Sequence, residues 1–149
     1  MRYLAPIVLF FFACGSQKHQ HHSVMQEVEI QKATIQEIKK EKEGEDPFIL
    51  QSAKILGNQL HLLVKAHPEL NPSAFTLTGE SVLSKSLPPI RNIHLNIVHF
   101  PLTSFAEEKE WKELRLVFDV SELAYKKESG SQIYLQLEGA NERLLYTYQ

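Results

Sequence analysis

The chain has 149 residues, 43% of them hydrophobic and 23% charged, with one cysteine and a formal net charge of -2. One folded domain is the expectation at that length, and 16 basic against 18 acidic residues give no basic excess of the kind that binds nucleic acid. A single cysteine excludes an internal disulfide framework, an Fe–S cluster and a cysteine-rich zinc site.

The first element in chain order is an address. Arg2 is followed by an apolar run from Tyr3 to Ala13, which Cys14-Gly15 ends. This is the layout of a bacterial secretion signal, and a run of about 11 residues is too short to cross roughly 30 Å of hydrocarbon as a helix. Ala13 directly before the lone cysteine resembles the lipobox of bacterial lipoproteins, which are cut before a lipidated cysteine; Phe11 stands where that pattern prefers Leu. The expectation is a signal peptide over 1–13 and a lipidated, palmitate-bearing Cys14. The plainer alternative is an ordinary cleaved signal that leaves a free thiol, a liability in an oxidising compartment. Acyl chains on Cys14, at about 0.8 kcal/mol per buried methylene, hold a protein to a membrane.

Residues 14–46 read as a charged tether. Gly15 to Ser23 hold no large apolar residue, and Val24 to Asp46 are rich in Glu, Lys and Gln. Val24, Val28, Ile35 and Ile38 fall loosely on one helical stripe with Ser23 as a candidate N-cap, which suits either a solvated helix or a flexible charged linker, a spacer helical in part at best. Gly44-Glu45-Asp46-Pro47 is the boundary signal, with a turn former and a helix-incompatible proline together.

From Pro47 to Gln149 the pattern alternates. Strands are expected over Ile49–Leu56 and Leu60–Val64, joined by a hairpin turn at Gly57-Asn58. Others are expected over Phe75–Gly79, Ile93–His99, Leu114–Asp119, Ile133–Glu138 and Leu144–Tyr148, with a single helical turn at Ser121-Glu122-Leu123. About seven strands at this spacing favour an all-β fold, an antiparallel immunoglobulin-like β-sandwich, over a parallel sheet with helical crossovers.

Four segments of this region resemble a group of small lipoproteins of Bacteroidota-type bacteria. They are Phe48–Ala53 with Gly57–Leu62 as an opening hairpin, Ser86-Leu87-Pro88-Pro89, the strand Leu95-Asn96-Ile97-Val98-His99, and Phe118-Asp119-Val120-Ser121-Glu122-Leu123. The arrangement is loosely similar to the C-terminal β-sandwich of NigD-like lipoproteins. Relatives of this kind often carry cysteines after the second strand and after the His-ended strand. Here Ala66–Leu70 and Phe100–Phe105 have none, so no disulfide between those loops is implied. The resemblance implies a sandwich and an envelope address, and no activity.

Several residues are candidates for chemistry. His19, His21 and His22 are the sharpest metal-like cluster, since neutral imidazoles bind Zn, Cu or Ni; a polar spacer without fixed second partners is the plainer reading. His99 shares the parity of Ile93, Leu95 and Ile97 and reads as a structural histidine at the rim of the core donating to a loop carbonyl, with ligand binding as the alternative. His61 and His94 fall on the solvated parity. Pro88-Pro89 suits a strand end or sheet edge. Trp111, Tyr134, Tyr146 and Tyr148 are the aromatic residues to watch for stacking; Tyr134 is expected outward and Trp111 capping the core at a strand start. No Gly-x-Ser-x-Gly elbow, His-Glu-x-x-His helix or phosphate loop occurs, so the reading is non-enzymatic, with no cofactor.

Together these features predict a lipid-anchored cell-envelope protein, in the outer membrane with the periplasmic face favoured. Its partners are the membrane, through the anchor, and another envelope protein, a peptide or a glycan. The alternatives are a metal-handling protein using His19, His21 and His22, or a hydrolase with an unrecognised site.

Overall fold

The computed structural model describes residues 28–37, 46–98, 103 and 106–149. Nine strands occur among them: β1 (Ile30–Lys32), β2 (Thr34–Gln36), β3 (Phe48–Leu56), β4 (Gln59–Ala66), β5 (Phe75–Glu80), β6 (Ile90–Ile97), β7 (Lys112–Asp119), β8 (Gln132–Leu137) and β9 (Leu144–Thr147). They form a β-sandwich of a four-stranded sheet, β1-β7-β4-β3, and a five-stranded sheet, β2-β5-β6-β8-β9. The seven expected strands are β3 to β9, and the expected helical turn is present as a 3₁₀ turn at Ser121–Leu123.

Alternation builds the core. In β4, Leu60, Leu62, Val64 and Ala66 are buried while Gln59, His61, Leu63 and Lys65 take the other face. Phe75 and Leu77 of β5, Ile93 and Leu95 of β6, Leu116 and Phe118 of β7, Ile133, Leu135 and Leu137 of β8 and Tyr146 of β9 close the interior. Each such side chain contributes about 1.5–3 kcal/mol of hydrophobic stabilisation. The β3–β4 hairpin turns at Gly57, whose φ of 59° at the first central position, followed by a non-positive φ at Asn58, is the type II′ pattern.

The sheets are mixed, which corrects the purely antiparallel expectation. β1 runs parallel to β7, β2 to β5 and β6 to β8. An immunoglobulin domain pairs its third and sixth strands directly; here β6 lies between β5 and β8. Among the described residues no α-helix connects the parallel β6–β8 pair. The chain leaves β6, forms β7 in the opposite sheet and returns, so a strand supplies the connection that a helix usually makes.

The tether expectation changes at residues 30–36. These residues are not helical: they pair with β7 in one sheet and β5 in the other, switching sheets at Ala33, which is buried. The Glu/Lys/Gln-rich stretch has no broad apolar stripe to stabilise a helix, whereas two sheet edges offer its backbone hydrogen-bond partners. The folded unit therefore includes residues upstream of the Pro47 boundary. The rest of the expected tether, 14–27 and 38–45, lies outside the described residues, as does the signal peptide.

Pro88-Pro89 is at a strand end, and that strand is interior. Pro89 immediately precedes β6, and its carbonyl accepts from Tyr134 N at 2.9 Å. An edge-guarding role does not apply there.

One end of the sandwich is closed by a buried arginine. Arg91 has the inward parity of Ile93, and its Nε donates to Leu123 O at 3.0 Å while Nη1 donates to Glu80 O. Asp119 Oδ1 accepts from Ser121 N and Oγ at 2.9 and 2.6 Å, fixing the turn that delivers Leu123. These bonds hold the Asp119 carboxyl below its ordinary value. Gly79 lies beneath this clasp: a Cβ there would stand 2.7 Å from Leu123 Cδ2 and 2.9 Å from Arg91 Cδ. Gly79→Ala is expected to cost roughly 1–3 kcal/mol by overpacking. Its urea midpoint is the check, and a variant as stable as the parent would show that the clasp yields.

Candidate functional site

The outward face of the five-stranded sheet gathers groups from four strands. β5 contributes Thr76, Thr78 and Glu80, and β6 contributes Ile90, Asn92, His94 and Asn96. β8 contributes Tyr134 and Gln136, and β9 contributes Leu145. All share the parity opposite the core residues, and Thr78 among them is itself covered.

The polar half is a bonded ladder centred on His94. Its Nδ1 faces Glu138 Oε2 at 2.8 Å and its Nε2 faces Glu80 Oε1 at 3.0 Å. Asn92 Nδ2 donates to Glu80 Oε2 at 3.0 Å, and Asn96 Nδ2 donates to Thr78 Oγ1 at 3.0 Å. Farther along, Arg143 Nε donates to Gln136 Oε1 at 3.3 Å. The His94 side chain is 19% exposed and Glu138 52%, so the ladder is partly shielded at its centre and open at its rim.

The apolar half is a row across three strands. Ile90 is paired with Tyr134, and Tyr134 with Leu145. Tyr134 is half-buried between aliphatic neighbours, and Leu145 is exposed. The loop before β6 flanks this row through the Pro89–Tyr134 bond and carries Leu87, 91% exposed. Hydrogen bonds hold that loop's shape: Ile90 N donates to Ser84 Oγ at 2.7 Å, and Ser86 Oγ donates to Pro88 O at 3.0 Å.

Both ring nitrogens of His94 are engaged by carboxylates. No group of three His, Cys, Asp or Glu side chains among the described residues is arranged to hold a metal ion. Carboxylates, amides and a phenol beside an apolar row offer donors, acceptors and a stacking surface in fixed positions.

Of the residues singled out from sequence, Tyr134 stands on this face. Trp111 does not: it precedes β7 of the other sheet, is half-buried, and donates its Nε1–H to Ala106 O at 3.2 Å. The structure therefore does not bring Trp111 and Tyr134 onto one surface. Tyr146 is a core residue and Tyr148 packs against the core. His61 and His94 are outward as expected, but on different sheets. Cys14, His19, His21, His22 and His99 lie outside the described residues. Glu80, Asn92, Glu138, Ile90 and Leu145 escaped sequence reasoning, since only the strand order makes them neighbours of His94 and Tyr134. No family model matches the chain, and no curated protein or solved structure is significantly similar to it.

Proposed function

We propose that this chain is a lipid-anchored, non-catalytic binding module of the bacterial cell envelope, attached through Cys14. Its ligand-binding surface is the outward face of the five-stranded sheet. The observation that supports this reading is the juxtaposition on one face of the Glu80–His94–Glu138 ladder and the Ile90–Tyr134–Leu145 row. A preformed polar array beside an aromatic ring suits a hydroxyl- and amide-bearing ligand such as a glycan of the envelope. Binding to it requires little reordering of side chains.

The test is retention of the protein on purified peptidoglycan sacculi and on a glycan array. Tyr134→Ala and His94→Ala are each expected to weaken retention by about tenfold, the loss of roughly one good contact. Tyr134 is half-buried and His94 is bonded on both ring nitrogens, so the melting temperature of each variant is measured and retention is compared where both variants are folded. Retention that neither substitution weakens, or no retention on either support, would count against this face.

A further inference from the structure

The N-terminal segment 28–37 is held differently from every other strand pair. It contributes β1 to one sheet and β2 to the other, so it lies on the edges of both at once. Yet among its residues only Ala33 is buried, at 1% exposure, while Val28, Ile30 and Ile35 are 39%, 53% and 42% exposed. Its attachment is mostly backbone pairing, through the registers Ile30–Lys32 with Val117–Asp119 and Thr34–Gln36 with Thr78–Glu80. Added to these are Ala33 N to Asp119 O at 2.9 Å and Gln31 Nε2 to Pro72 O at 2.7 Å. A buried alanine methyl contributes about 0.8 kcal/mol, far below the four inward side chains of β4. Segments with few buried apolar contacts open locally while the remainder stays folded.

We propose that residues 28–37 form a releasable strap, which opens without unfolding the sandwich, and that the edges it vacates on β7 and β5 accept the same strap from a second copy of this chain. The strap fits both edges in a defined register and precedes the other described strands in the chain. Exchange between copies recreates every bond that opening breaks.

Hydrogen exchange on the full chain reads the first half. Amides of residues 30–36 should exchange on the order of 100-fold faster than those of β4. The second half is read by mixing two populations, both carrying Cys14→Ser, one with Ile30→Cys and the other with Val117→Cys. These paired positions lie on adjacent strands about 4.8 Å apart, within disulfide reach. A disulfide-linked heterodimer is expected, well above the yield from a control that pairs Ile30→Cys with Glu113→Cys, off register on the same strand. Protection of 30–36 equal to that of β4 overturns the release. Fast exchange with no heterodimer above the control overturns the exchange between copies.

Discussion

Arg91→Met should lower the stability of the folded domain by roughly 2–4 kcal/mol, because it removes the donors to one buried and one partly buried carbonyl, at about 1–2 kcal/mol each. Methionine fills much of the same space, so the loss isolates the guanidinium bonds to Leu123 O and Glu80 O. Burial lowers the arginine pKa, and a guanidinium keeps its charge in proteins. Arg91→Lys should recover only part of the loss, since an ammonium lacks the fork that reaches both carbonyls. The measurement is a urea midpoint with unchanged slope. An Arg91→Met midpoint matching the parent would mean that the clasp contributes nothing.

Tyr146→Ala should cost more, about 3–5 kcal/mol, the range for emptying a fully buried aromatic site. Tyr146→Phe separates the ring from the hydroxyl and should cost about 1 kcal/mol. The hydroxyl donates to Asn58 Oδ1 at 2.9 Å, and the same oxygen accepts from Gln149 N at 3.2 Å. One asparagine in the β3–β4 turn thus ties down the end of β9. Burial, with smaller contributions from Tyr148 and Asp119, pushes the Tyr146 phenol from 10.0 up to about 12. The unfolded chain ionises it first, so its contribution is fully present below pH 10 and is lost as pH rises from 10 to about 12. The stability advantage of the parent over Tyr146→Phe should therefore shrink across that window. An advantage constant from pH 9 to 12, the values bracketing the titration, would show that the phenol is not held neutral by the fold.

The strands were legible because their alternation is local. Leu60-His61-Leu62 and Ile133-Tyr134-Leu135 declare their faces without knowledge of any partner, and Gly57-Asn58 declares its turn. β1 and β2 were not legible: Ile30 and Ile35 are too sparse to signal a strand, and the bonds that make them strands belong to edges of β7 and β5 far along the chain. Arg91 illustrates the same limit. Its parity points inward, but an arginine there is stable only because two carbonyls, 11 and 32 residues away, meet it. In the candidate site, the outward placing of His94 and Tyr134 could be read from parity. Their neighbours could not, since Glu80 and Glu138 are 14 and 44 residues from His94: Glu80 meets it across the antiparallel β5–β6 pair, and Glu138 through the unforeseen parallel pairing of β6 with β8.

The most direct test of the account is where the protein resides with and without Cys14. Parent and Cys14→Ser proteins would be expressed in a bacterial host fed a clickable palmitate analogue, and membrane and soluble fractions separated. A lipid-anchored protein gives a labelled parent in the membrane fraction and an unlabelled Cys14→Ser protein released from it. A Cys14→Ser protein that stays in the membrane, or a parent that is unlabelled and soluble, would contradict the lipid-anchored reading.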